Sequence, residues 1–253
     1  MFAGLPIETL AFAGFLAFCR IGACFMLMPG FSSVRVAMHV RLFIALAVSW
    51  ALMAHLWEAI LPNIAGTTTD RMILLIGSEL LIGSTIGLVT RIYTLALQFG
   101  ASAVAMMAGF GGMGGSAVEE PEPQSALTAI ITLSALLLLF VFDFHHEILK
   151  ALVMSYQVAP VAGMFSAQSA LIDLTDTVSQ SFYLTLRLAS PFVAYAILVN
   201  LAIGFVNKLA PQIPVYFVSL PFVIAGGLIL MYFGIGMMLS LFVDGFIPTT
   251  IGR

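Results

Sequence analysis

Long apolar runs, separated by short polar breaks, set the pattern of this chain. Apolar residues dominate from about Leu10 to Met28, Leu42 to Leu61, Met72 to Val89, Leu127 to Phe142, Phe192 to Val206 and Val215 to Val243. Runs of this length with almost no charge predict helices that cross a membrane or pack within it, and about five to seven such helices fit the chain. Strands are disfavoured, because an open sheet in lipid leaves backbone groups unpaired and the alternation of a membrane barrel is missing. The expected fold class is an all-α integral membrane protein.

Composition agrees with the pattern. Of the 253 residues 61% are hydrophobic and 8% charged, against about 25% charged in a soluble domain. The length suits one membrane domain, and no polar stretch is long enough for a separate soluble one. A net charge of -3 argues against a nucleic-acid binder, which displays a basic face. Cys19 and Cys24 lie five apart in one run, point to different sides of a helix and are expected to pack without bonding. No basic residue precedes the first run and Arg20 lies inside it, so that run is expected to be retained rather than cleaved as a signal.

The breaks narrow the picture further. Pro29, Gly30, Ser32 and Ser33 end the first run and lead into Arg35, His39 and Arg41, a basic connection that the positive-inside rule assigns to the cytoplasm. Gly109 to Gln124 reads GFGGMGGSAVEEPEPQ, a Gly/Met segment passing into an acidic, Pro-containing one. Gly109, Gly111 and Gly114 match G-x-G-x-x-G, but without the strand and βαβ context of a nucleotide site. Small backbone, soft Met106, Met107 and Met113, and Phe110 suit either a compliant closure or a plain flexible linker between two membrane halves. The expected organisation is N-terminal helices over about 1–108, this loop over 109–125, and C-terminal helices over 126–253.

Polar residues inside the runs come next. Glu79, Gly83, Gly87 and Arg91 follow at steps of four, one helical stripe where another helix can approach closely, with Glu79 and Arg91 expected to pair with neighbouring chains or to snorkel outward. Asn200, Asn207 and Lys208 share a face and read as glue between helices. Asp143, Glu147 and Lys150 with His145 and His146 suggest a solvated or headgroup-level helix end. The adjacent His pair lacks the H-E-x-x-H spacing, so no metal is expected. No nucleophile, base and orienting group can be assembled around His39, His55, His145 or His146, and the chain is expected not to be an enzyme.

Three stretches carry a resemblance: FLAFCRIGACFMLMPGFSSVRVAMHVRLFIALAVSW, ALLLLFVFDFHHEILKALVMSYQVAPVAG and LVNLAIGFVNKLAPQIPVYFVSLPFVIAGGLILM. They resemble the FliR family of flagellar biosynthetic proteins nearly end to end. The most specific parts are Arg20 to Arg41, with R-x-G, P-G and V-R-x-x-x-x-V-R, and Asn200 to Pro221, with V-N-L-A-x-G and A-P-Q-x-P-V.

The resemblance implies a subunit of the export gate of the flagellar type III secretion system, in the bacterial inner membrane at the flagellar basal body. It implies helical hairpins that pack into a hetero-oligomer, a FliP-like part fused to a FliQ-like part, with FliP-like, FliQ-like, FlhB-like and FlhA-like partners, unfolded export substrates, membrane lipid and no nucleic acid. It also implies a plug loop that closes the pore, which carries over to Phe110, Gly111, Gly112 and Met113, with no cofactor and with energy supplied by partners. The EEPEP run departs from the family pattern, so its three acids have no role carried over. Two other readings stand beside this one: the homologous subunit of a virulence injectisome, and a small-solute transporter, which would need a midplane site between related halves.

Overall fold

A computed structural model describes residues 7–33, 36–64, 68–111, 125–161, 163 and 165–251. Every regular element among them is helical. In chain order these are α1 (Ile7–Leu27), α2 (Met38–Ile60), α3 (Thr69–Ala105), α4 (Ala126–Val141), α5 (Phe144–Val158), α6 (Ala167–Leu209) and α7 (Val215–Ile251). A short 3-10 turn, Leu61–Asn63, follows α2, and a π-type turn, Met106–Phe110, extends α3.

Five of these helical stretches are long and apolar enough to cross a membrane, and α4 with α5, bent by 63°, has the length and composition of a broken span or a re-entrant loop. Two far outrun the apolar stretches that announced them. α3 with its π turn has 42 residues and α6 has 43, so each is about 60 Å long, roughly twice the hydrocarbon core. The N-terminal part of α6 carries exposed Asp173 and Asp176, which kept it out of the apolar count. α5 was hidden for a related reason: only Phe144, Ile148, Leu152 and Tyr156, one stripe of a mixed sequence, are buried.

Local chemistry explains the ends. α1 stops at Pro29 and at Gly30, whose φ is 81°, a left-handed turn glycine adopts without penalty. The Arg41 guanidinium donates to the Val36 carbonyl at 2.8 Å and to that of Ser33, fixing the connection into α2. Ser125 caps α4 by accepting from the Thr128 N–H at 3.2 Å. α4 and α5 are separated at Asp143, whose φ of 55° breaks the helical path.

The chain forms two compact units, discontinuous in sequence. The first combines Met1–Ile92, Asp143–Thr177 and Thr249–Arg253. Its centre is α1, where Ala13, Leu16, Ala17, Arg20, Ile21 and Cys24 are fully buried; Cys19 and Cys24 are free thiols. The second combines Tyr93–Phe142 and Val178–Pro248. Its core includes Ile131 and Leu139 of α4 and an aromatic set in which the Tyr93 and Phe246 rings meet edge-on at 5.8 Å and Phe242 lies 5.9 Å from Phe246. Large apolar side chains such as Trp50, Phe43, Tyr232 and Phe233 are exposed, as in chains surrounded by lipid or by other subunits.

Candidate functional site

In the first unit, Arg20 and Glu79 face one another from α1 and α3. The guanidinium donates from Nε to Oε2 and from Nη2 to Oε1 of Glu79, both at 2.7 Å, the bidentate fork that makes Arg–carboxylate pairs strong. Both side chains are almost wholly buried, at 0% and 1% exposure. Nη1 also donates to Ser155 Oγ at 2.9 Å and Nη2 to the Ala159 carbonyl at 3.0 Å. The Tyr156 ring covers the cation, with its centroid 3.8 Å from Cζ. One arginine thus joins α1, α3 and the C-terminal end of α5. Beside it, the Phe165 N–H donates to Ser78 Oγ at 2.9 Å, so the chain after α5 is held to α3 as well.

The glycines that follow Glu79 make this approach possible. A methyl group at Gly83 would collide with the backbone of Arg20, including its carbonyl oxygen, and one at Gly87 would lie 2.8 Å from the Cys24 carbonyl oxygen. Glu79, Gly83 and Gly87 are therefore the face of α3 that meets α1. The expectation that Glu79 pairs with another chain or snorkels is corrected: its partner is Arg20 of the same chain. Arg91, one turn beyond Gly87, is half-buried.

In the second unit, the root of the Gly/Met loop is held against α7. α3 ends in the π turn Met106–Phe110, where Gly109 takes φ 87° and ψ 7°, a conformation that costs an L-residue about 1–2 kcal/mol. Ala108 is fully buried. A methyl group at Gly227 of α7 would lie 2.7 Å from the Ala108 Cβ, and one at Gly226 would strike the Tyr195 hydroxyl. That hydroxyl donates to the Val223 carbonyl at 2.8 Å, tying α6 to the same part of α7. Met106 is 69% exposed, Phe110 is half-buried and Gly111 is exposed. Gly112 and Met113 lie outside the described residues.

The other polar positions that stand out in the sequence behave differently. Asn200 donates its amide to the Ala196 carbonyl of its own helix at 2.8 Å. It is exposed, as are Asn207 and Lys208. Buried hydroxyls mostly bond helix carbonyls: Ser49 to Ala45 at 2.6 Å, Thr90 to Gly87 at 2.7 Å, Thr185 to Ser181 at 2.9 Å. This is how apolar surroundings keep such groups satisfied.

Residues 11–247 match the family described as bacterial export proteins, family 1. The flagellar biosynthetic protein FliR of Caulobacter vibrioides is 30% identical over 222 residues, covering 85% of each chain. That of Bacillus subtilis is 26% identical over 224 residues, covering 85% of this chain and 83% of its own. That of Escherichia coli is 27% identical over 158 residues, covering 60% and 59%.

Proposed function

The chain belongs to family 1 of the bacterial export proteins, and from that we propose a subunit of the flagellar type III export gate whose 109–125 loop closes the channel. The family and the flagellar names of its relatives make the protein a membrane-embedded component of a flagellar type III export apparatus. Those names favour the flagellar system over a virulence injectisome. The finer reading places the protein in the bacterial inner membrane at the basal body, joined to FliP-like and FliQ-like subunits, with FlhA-like and FlhB-like proteins nearby.

One observation carries the plug assignment: the loop leaves α3 from a root packed against α7. Ala108 is wedged against Gly227 and Gly109 makes the left-handed turn, after which Phe110 and Gly111 begin a segment of small and soft side chains. A closure must yield to an unfolded chain and then reseal against ions. The glycines in the sequence of this segment suit the first, and its methionine and phenylalanine bulk the second. The chain acts by gating and conduction, and its partners supply the energy.

Co-expression with the FliP-like and FliQ-like proteins of the same genome, followed by native mass spectrometry in mild detergent, tests the assembly. One copy in a larger mixed complex supports it, whereas a monomer or homo-oligomer that ignores both partners refutes it. Deleting residues 109–115 in the assembled complex then tests the plug. Raised ion leakage with altered export is expected; unchanged leakage and export would remove the assignment.

A further inference from the structure

Where α4 gives way to α5, three metal-ligating side chains converge. Asp143 stands at the N-cap of α5 with φ 55°, and its side chain caps none of the helix N–H groups, the usual task of an aspartate there. Its Oδ1 lies instead 3.3 Å from Nδ1 of His146 and 3.8 Å from Nε2 of His145. The two imidazole centroids are 4.2 Å apart. One ligand atom from each of the three residues falls within 4.8 Å of the others. On a regular helix, adjacent histidines point about 100° apart and do not share a ligand, which is why their spacing gave no metal site. The left-handed Asp143 changes that geometry by bringing a carboxylate across to both rings.

An imidazole N–H of His146 can donate to Asp143 Oδ1, and a metal ion held by the three side chains would take the place of that proton. Zinc bonds of roughly 2.0–2.1 Å in tetrahedral geometry put ligand atoms about 3.4 Å apart; Asp143 lies 3.3 and 3.8 Å from the two rings and the whole set within 4.8 Å, so binding would draw the imidazoles together. Nitrogen ligands turn the set away from Mg²⁺ and Ca²⁺ and towards first-row transition ions. The local charge is favourable too. Glu147 accepts from Lys150 at 2.6 Å, so the nearby ammonium is neutralised and Asp143 leaves the cluster net negative. With side-chain exposures of 68%, 33% and 61% for Asp143, His145 and His146, a hydrated ion can reach the ligands and keep water in its open positions. The partial positive charge of the α5 N-terminus opposes the ion and lowers its affinity.

We propose that Asp143, His145 and His146 form a three-ligand site for a divalent transition-metal ion, zinc by ligand set, which would clamp the first turn of α5. The proposal is independent of the export reading. Its test uses the full chain extracted in mild detergent with whatever subunits accompany it, carried on a tag without histidines and freed of metal by chelator. Titration with Co²⁺ should give ligand-field absorption saturating near one ion per chain, and Zn²⁺ should displace it. His145→Ala, His146→Ala and Asp143→Asn should each weaken binding at least about tenfold. In the unmutated complex, Zn²⁺ should protect His145 and His146 from acylation by diethylpyrocarbonate, read by mass spectrometry, while exposed His39 and His55 stay reactive. Absence of saturable binding at micromolar Co²⁺ and Zn²⁺, binding that survives loss of both histidines, or equal acylation with and without Zn²⁺ would each overturn the site.

Discussion

Replacing Glu79 by alanine strands the Arg20 guanidinium inside the first unit. Two charge-assisted bonds of 2.7 Å are lost, each worth about 1.5–3 kcal/mol, while the bonds to Ser155 and Ala159 and the Tyr156 ring remain. Removing one partner of a buried pair costs about 3–5 kcal/mol, and the surviving contacts put this case near the lower end, about 3–4 kcal/mol. For a chain of this size that corresponds to a fall in Tm of roughly 6–16 °C. Trp57, 5% exposed on α2 of the same unit, reports unfolding by its fluorescence in the detergent-solubilised complex. The distinguishing arm is the double variant Arg20→Met with Glu79→Leu. Removing both charges together should restore stability to within about 1 kcal/mol of the parent, giving a large coupling in a double-mutant cycle. A single-variant shift below about 2 °C, or a double variant as unstable as the sum of its parts, would refute the reasoning.

Further substitutions probe the helix contacts. Gly83→Ala should destabilise by about 1–3 kcal/mol, since its methyl group meets the Arg20 backbone; Gly77→Ala in the same helix, with nothing within 4 Å, should be neutral or stabilise by up to about 1 kcal/mol, both read as Tm. Gly109→Ala imposes an L-residue on φ 87° and should displace the loop root at a cost of about 1–2 kcal/mol, seen as increased ion leakage through the assembled complex in planar bilayers; parental leakage would count against a fixed root. Gly227→Ala should produce the same leakage by pushing on Ala108, and Ala108→Gly should relieve it in part by removing the Cβ that lies 2.7 Å away; leakage from Gly227→Ala that Ala108→Gly leaves unchanged would reject this contact as its cause.

The all-helical membrane class was legible from the runs alone, because a chain with so little charge has few other ways to satisfy its backbone. Element boundaries were legible only where apolarity and helicity coincide. α4 fills the Leu127 to Phe142 run almost to the residue, whereas α6 reaches 25 residues upstream of Phe192 through a polar stretch that hydropathy does not register. The stripe from Glu79 to Gly87 was readable as a close helix contact from its four-residue step, but periodicity identifies a face without naming what lies across it. The convergence at Asp143 was not readable at all, since it depends on one left-handed residue that spacing rules assume to be helical.

The partner of Glu79 nevertheless left a trace in the sequence. An ionised side chain within an apolar helix must find a counter-charge or carry a large desolvation penalty. Arg20 lies in the middle of the first apolar run, thirteen residues from the start of α1, too deep to reach the helix end by extending its side chain. Glu79 is the single acid in the Met72 to Val89 run. The charges therefore need each other, and the small residues match the two faces: Gly83 lies across from Arg20 and Gly87 across from Cys24, four residues on along each helix. A four-residue step from a charge to a small or soft residue on two separate runs is a signature of two helices meeting in register. Taken together, rather than each against an unknown neighbour, the two stripes match the contact that joins α1 to α3 in the structure.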